Sequence, residues 1–355
     1  VAELRFQAPP RRVLIVRPSA IGDVIMASGI VPALRAAWPE AHLAWLAEPT
    51  VADLLRENPS IDQVILWPKA EWRALWRARR FAKLGSAVAG FRHTLRQASF
   101  DLVIDIQGLL KSGVLAWLTG APRRIGLASR EGSQRLMSQV IQPPGGDRRL
   151  GSEYRHLLTA LGLDQADYAM DLVVSDATHR RALETLRQLG GGCPYSVVAP
   201  FTTRPQKHWF EDRWRSLIEQ LPDRLGGSIV VLGGPADTDA AGRIVEGLGD
   251  RVFNLAGACT LGESVSLIQS AQLLVGVDTG MTHAGAAAGI ATVALFGSTR
   301  PYLDMGYAGG RVLYHALDCS PCKRNPTCGG RFTCMREHRV EDVLASAETL
   351  LAGAP

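Results

Sequence analysis

A chain of 355 residues exceeds one ordinary hydrophobic core, so two domains are expected, and its 46% hydrophobic and 21% charged residues exclude extensive disorder and describe a soluble globular protein. A net charge of +5 points to an anionic partner: nucleic acid, a phosphorylated metabolite or an acidic membrane face. Residues 1–10 lack signal-peptide features and no apolar run reaches bilayer-spanning length, so a cytoplasmic location is expected.

The first element reads Arg12-Val13-Leu14-Ile15-Val16-Arg17, a continuous apolar strand. It leads through Pro18-Ser19-Ala20-Ile21-Gly22-Asp23-Val24 to a helical pattern over residues 30–37. Strand, glycine-bearing turn and helix open a doubly wound α/β unit, and the missing G-x-G-x-x-G argues against a dinucleotide site. Asp23 is placed at the carboxyl edge of the sheet, where such folds bind ligands. Strands at residues 42–46 and 63–66 follow at α/β spacing.

Between Lys69 and Arg96 the chain turns basic and aromatic, with Glu71 as its one acid. Trp72, Trp76, Arg79 and Arg80 recur at helical spacing, which predicts one amphipathic helix face meeting anionic lipid headgroups; the bland alternative is a solvated face with its tryptophans in the core. No helix-turn-helix, zinc-finger or single-strand-binding signature accompanies the charge, so nucleic acid is the weaker partner. The strand at residues 100–106 runs into Gln107-Gly108-Leu109-Leu110-Lys111-Ser112, placing Gln107 and Lys111 on the same edge as Asp23. Arg123, Arg124 and Arg130 come soon after, a set of cations for an acidic acceptor. Residues 143–147 read as a loop and 154–163 as a helix.

A second α/β series begins near Tyr195. Its first strand leads to Phe201-Thr202-Thr203-Arg204-Pro205-Gln206-Lys207-His208-Trp209, where two hydroxyls and an ammonium suit a phosphate cradle. A strand at residues 228–232 ends in Gly233-Gly234-Pro235-Ala236-Asp237, and Asp237 is a candidate acceptor for ribose hydroxyls. A helix at 261–270 feeds Leu273-Leu274-Val275-Gly276-Val277-Asp278-Thr279-Gly280-Met281-Thr282-His283, read as strand, tight turn and helix. That turn would present unpaired helix N–H groups to an anion, with Thr279, Thr282 and His283 as added donors. A last strand at 293–297 carries Ser298-Thr299-Arg300-Pro301 as its edge loop.

Together R-P-S-A-I-G-D, D-I-Q-G-L-L-K-S, T-T-R-P-Q-K-H-W, L-G-G-P and V-D-T-G-M-T-H resemble glycosyltransferase family 9, closest to its lipopolysaccharide heptosyltransferase I type. The resemblance runs from about residue 12 to 351 and implies an α/β protein of GT-B fold, two Rossmann-like domains facing across a cleft. Residues 11–175 would bind the acceptor, 176–338 the ADP-sugar, and the helix within 339–355 would pack back on the N-terminal domain. The implied reaction moves L-glycero-D-manno-heptose from ADP-heptose to Kdo of a lipid A precursor with inversion. Asp23 takes the position of the catalytic base. A carboxylate is a weak base, so proximity and stabilisation of the departing ADP would supply most of the acceleration.

The resemblance assigns Thr202, Thr203, Lys207, Thr279, Gly280 and Met281 to the diphosphate, and Asp278 and His283 to the donor motif. Asp237 stands where the family type has a glutamate towards the ribose. Arg73, Gln107, Lys111 and Arg130 are the acceptor-side candidates. No metal or other cofactor is expected for catalysis, and a peripheral position on the inner membrane is implied. The alternatives are an already extended core or an autotransporter protein as acceptor and, more remotely, a non-catalytic nucleotide-binding module.

Cys319, Cys322, Cys328 and Cys334, spaced C-x2-C-x5-C-x5-C in a glycine- and proline-bearing loop, depart from the plainest family pattern. Four soft ligands at that spacing predict a structural zinc or iron; reduced thiols and disulfides are the alternatives.

Overall fold

The apolar runs become the inner strands of two parallel sheets in a computed structural model, which describes residues 6, 8–129, 131–142, 145–146, 149–163, 168–299 and 302–353. The chain divides into two units, Val1–Asp147 with Gly151–Val173, and Arg148–Leu150 with Val174–Pro355.

The first unit contains β1 (Arg12–Val16), β2 (His42–Ala47), β3 (Gln63–Leu66), β4 (Leu102–Asp105), β5 (Arg123–Leu127) and β6 (Gln139–Ile141). Its helices are α1 (Ile21–Ala27), α2 (Ile30–Ala37), α3 (Pro49–Arg56), α4 (Lys69–Arg77), α5 (Phe81–Gln97), α6 (Leu110–Leu118) and α7 (Ser152–Ala160). The strands pair in parallel in the order β3-β2-β1-β4-β5-β6. Alternate side chains of β1 enter two cores: Val13 and Ile15 pack with Leu43, Trp45 and Leu34, whereas Leu14 and Val16 pack with Leu46, Val103 and Leu115. Helices on both faces explain why the inner strands read as unbroken apolar runs.

The second unit repeats the plan with β7 (Tyr195–Ala199), β8 (Ser228–Val231), β9 (Val252–Asn254), β10 (Leu273–Val277), β11 (Ala291–Phe296) and β12 (Gly310–Tyr314). Its helices are α8 (Asp176–Gln188), α9 (Glu211–Leu225), α10 (Thr238–Val245), α11 (Leu261–Gln269), α12 (Gly280–Ala288), α13 (Thr333–Arg336) and α14 (Val340–Ala352). The order β12-β11-β10-β7-β8-β9 is the same doubly wound arrangement. In each sheet the order of strand addition therefore reverses once, between β1 and β4 and between β7 and β10. In open parallel sheets that reversal opens the crevice where ligands bind.

One expectation is corrected. The basic aromatic stretch is not one helix: α4 stops at Arg77, Arg79 adopts a φ of 54°, and α5 starts at Phe81. Trp72 turns inward, edge-on to Trp67 and Phe91 at 6.2 and 5.5 Å, while Trp76 stays 64% exposed against Phe81. Within the second unit, the apolar stripe of α14, Val340, Val343, Leu344 and Ala347, packs in the core against α9 and β10 to β12.

Candidate active site

In the second unit, the loops that leave β7 and β10 meet around Asp278. Lys207, in a short 3-10 turn over Pro205–Lys207, places its Nζ 2.5 Å from Asp278 Oδ2. The Thr299 hydroxyl, from the loop after β11, donates to the same oxygen at 2.5 Å. His283 Nε2 lies 3.7 Å from Asp278 Oδ1, and its Nδ1 lies 2.9 Å from the Tyr302 hydroxyl. Burial opposes ionisation of Asp278, but His283 and then Lys207 hold its carboxyl well below the usual carboxylate range.

Thr279 is the N-cap of α12 and makes no side-chain capping bond. Gly280 and Met281 form the first turn of this nine-residue helix, whose leading N–H groups lack intrahelical acceptors. An ammonium beside a helix N-terminus suits a dianionic ligand such as a diphosphate. Thr202 is half-buried, with its carbonyl accepting from His208 Nε2 at 2.7 Å, and Thr203 is exposed. Asp237 accepts the Gly234 N–H at 2.8 Å and so fixes the glycine turn after β8.

Thr282 corrects an expectation. Its hydroxyl is fully buried and donates to the Val277 carbonyl at 2.5 Å, so it anchors the turn and offers nothing to a ligand. His283 is only 5% exposed and acts through Asp278 and Tyr302. Sequence reasoning passed over Thr299 and Tyr302. Thr299 had a usable signal, its place just past an inner strand; Tyr302 had none.

In the first unit, Asp23 occupies the first turn of α1. Its Oδ2 accepts the Ala20 N–H at 3.2 Å, its Oδ1 lies 3.0 Å from Arg17 Nη2, and the side chain remains 42% exposed. Arg17 is 7% exposed, and its Nη1 donates to the Ile106 carbonyl at 2.8 Å. Asp105, at the end of β4, accepts from Gln107 N, Gly108 N and Ser112 Oγ at 3.0, 3.3 and 3.0 Å. Burial nevertheless pushes its pKa up to about 6. These bonds shape the turn that carries Gln107 and the first turn of α6, which carries Lys111. Arg73 is exposed on α4, and Arg130 lies outside the described residues.

A structural metal at the four cysteines finds no support in the structure. All are free, and among the described residues no three His, Cys, Asp or Glu side chains converge as a ligand set. Cys334 is drawn into the apolar core beside Met335, and the Cys328 thiol pKa is lowered chiefly by a main-chain hydrogen bond at Phe332, within its own loop.

Thus one unit offers a cationic turn for a dianion, and the other a half-exposed carboxylate held by a buried arginine. The sequence profile of glycosyltransferase family 9 (heptosyltransferase) matches residues 88–329. The chain belongs to glycosyltransferase family 9. It is 30% identical over 322 residues to lipopolysaccharide heptosyltransferase 1 of Pseudomonas aeruginosa, covering 89% of this chain and 87% of that protein. With lipopolysaccharide heptosyltransferase 2 of Escherichia coli it shares 27% identity over 306 residues, 82% of this chain and 84% of the relative. The structure of the Escherichia coli heptosyltransferase WaaC with ADP-2-deoxy-2-fluoro heptose superposes with a TM-score of 0.72 at 26% identity, covering 95% of this chain and 99% of that one. This glycosyltransferase is therefore an enzyme of the GT-B class, built from two Rossmann-like units.

Proposed function

We propose that this glycosyltransferase moves heptose from ADP-heptose to Kdo of the lipopolysaccharide inner core, with inversion at the anomeric carbon. The observation that carries the reading is the Lys207, Asp278 and Thr299 cluster beside the α12 N-terminus, at the reversal of the second sheet. Similarity to a structure holding an ADP-heptose analogue and to lipopolysaccharide heptosyltransferases supports the donor and the pathway.

Lys207, Thr202, Thr203 and the main chain of Thr279, Gly280 and Met281 hold the diphosphate, and Asp237 faces the ribose. In the transfer step a Kdo hydroxyl oxygen bonds to the anomeric carbon, the bond to the ADP oxygen breaks, and ADP departs with the electron pair. The hydroxyl proton passes to Asp23. Charge developing on ADP is met by Lys207 and the helix dipole, a preorganised electrostatic device. Arg73, Gln107, Lys111 and Arg130 serve the acidic acceptor.

The enzyme works at the inner membrane as a peripheral protein. Trp76 and Phe81 are 64% and 55% exposed, with exposed Arg73, Arg77, Arg79, Arg80 and Lys83 around them, and α6 presents Leu110, Val114 and Trp117 at helical spacing. Aromatics flanked by cations suit an anionic lipid interface.

Similarity to heptosyltransferase 2 supports a second reading, in which an already extended core is the acceptor. Incubation with ADP-heptose and either Kdo-lipid A or its heptosylated form, followed by mass spectrometry, separates the two. One added heptose on Kdo-lipid A is expected; transfer to the heptosylated acceptor alone would establish the second reading, and transfer to neither would overturn both.

A further inference from the structure

The cysteine-bearing loop is stitched to the turns around Asp278. Lys323, next to Cys322, donates its N–H to the Ser298 carbonyl at 2.6 Å, and its own carbonyl accepts from Gln206 Nε2 at 3.0 Å. Each partner adjoins a residue that grips Asp278: Ser298 precedes Thr299, and Gln206 precedes Lys207. Gln206 is 7% exposed, so its carboxamide bond is shielded from water. The loop is fastened further by Ser320, whose hydroxyl donates to the Gly297 carbonyl. Cys334 and Met335 lie against Gly297 so closely that a Cβ there would meet either sulfur at 2.7 Å.

Lys323 also adopts a φ of 58°, a left-handed conformation that glycine takes freely and a lysine adopts rarely. The surrounding bonds hold it there.

We propose that Lys323 is a positioning residue for donor binding: its main chain ties the Ser298-Thr299 loop to the Gln206-Lys207 turn and so sets the spacing of the groups that receive the diphosphate. The inference rests on reading that turn as the donor site, and it gives the four-cysteine loop a use independent of any metal. The side chain of Lys323 is not needed. Its N–H and its left-handed conformation are.

Proline at 323 supplies neither, whereas glycine supplies both. Gln206→Leu removes the carboxamide donor at similar volume. The full-length enzyme is titrated with ADP by calorimetry, and donor KM and kcat are measured with saturating acceptor. Lys323→Pro and Gln206→Leu should each weaken ADP binding and raise donor KM about tenfold, the worth of one buried hydrogen bond, with kcat little changed. Lys323→Gly should bind ADP like the wild type. Combining Lys323→Pro with Gln206→Leu should add little to either change alone, because both cut the same tie.

Gln206→Met carries the same expectation as the leucine variant and keeps the test open if that variant fails to fold. Undiminished ADP affinity in a folded Gln206 variant overturns the inference while leaving the donor site standing. A wild-type enzyme that does not bind ADP overturns the donor-site reading itself.

Discussion

Arg17 Nη2 lies 3.0 Å from Asp23 Oδ1, and its other terminal nitrogen is fixed 2.8 Å from the Ile106 carbonyl at the end of the neighbouring strand. A half-exposed carboxylate thus takes its orientation from a buried cation that is itself anchored on the sheet. If Asp23 is the base, Asp23→Asn should lower kcat by about 10²-fold or more, the usual worth of general-base catalysis, while ADP affinity stays unchanged. Arg17→Lys retains the charge but loses the fork that reaches both partners. It should lower kcat with little effect on donor KM. Steady-state rates together with ADP calorimetry separate these outcomes from loss of binding.

The pair of Lys207 and Asp278 is 17% and 12% exposed, so removing one partner leaves the other charged and poorly solvated. Asp278→Asn should destabilise the protein by about 3 kcal/mol, the scale for breaking a buried ion pair. Lys207→Met combined with Asp278→Asn should restore most of that loss but bind ADP far more weakly than the wild type. The sign with pH follows from the depressed Asp278 pKa: its contribution to stability holds above the unfolded value of 3.8 and disappears as pH falls through the folded value. Chemical denaturation from pH 8 down to pH 3 should therefore show no contribution from Asp278 to the slope above about pH 5.

Legibility in the sequence followed burial. Inner strands such as β1, β7 and β10 are covered on both faces and announce themselves as apolar runs. β5 opens with two half-exposed arginines and β6 and β9 are three residues each, so no run marks them. The turns bearing Asp23, Lys207 and Asp278 were readable because each follows an inner strand. Thr299 reaches Asp278, and Tyr302 reaches its neighbour His283, only through the tertiary fold. Sequence carries no direction for a side chain, so that Cys334 packs into an apolar core was not legible in the cysteine spacing.

Two buried groups titrate in opposite senses, one in each unit. Burial raises the pKa of Asp105 from 3.8 to about 6, so its contribution is fully present below pH 3.8 and is lost as pH rises through about 6. His338 is 1% exposed and its ring donates to the Phe296 carbonyl at 2.9 Å; burial lowers its pKa from 6.5 to about 4. Its contribution is present above pH 6.5 and is lost as pH falls towards 4. Each change is on the order of 3 kcal/mol at most. The stability of Asp105→Asn relative to wild type should therefore rise between pH 4 and 7, whereas that of His338→Gln should rise as pH falls over the same range. Urea denaturation at intervals of half a pH unit measures both slopes.

The exposed aromatics make the membrane reading testable apart from catalysis. Among the described residues no helix is long and apolar enough to cross a membrane, and the proposed contact is made by surface groups. Trp76 and Phe81 stand edge to face at 5.3 Å, which stiffens a small apolar projection among the arginines. Burying one such side chain in the lipid interface contributes roughly 1.5–3 kcal/mol, so Trp76→Ser should weaken sedimentation with phosphatidylglycerol vesicles about tenfold or more. Raising salt should weaken it further, since exposed cations are screened within about 10 Å at 0.1 M. With a water-soluble Kdo acceptor the same variant should keep its kcat and donor KM. Equal vesicle binding by Trp76→Ser and wild type would remove this surface as the point of contact.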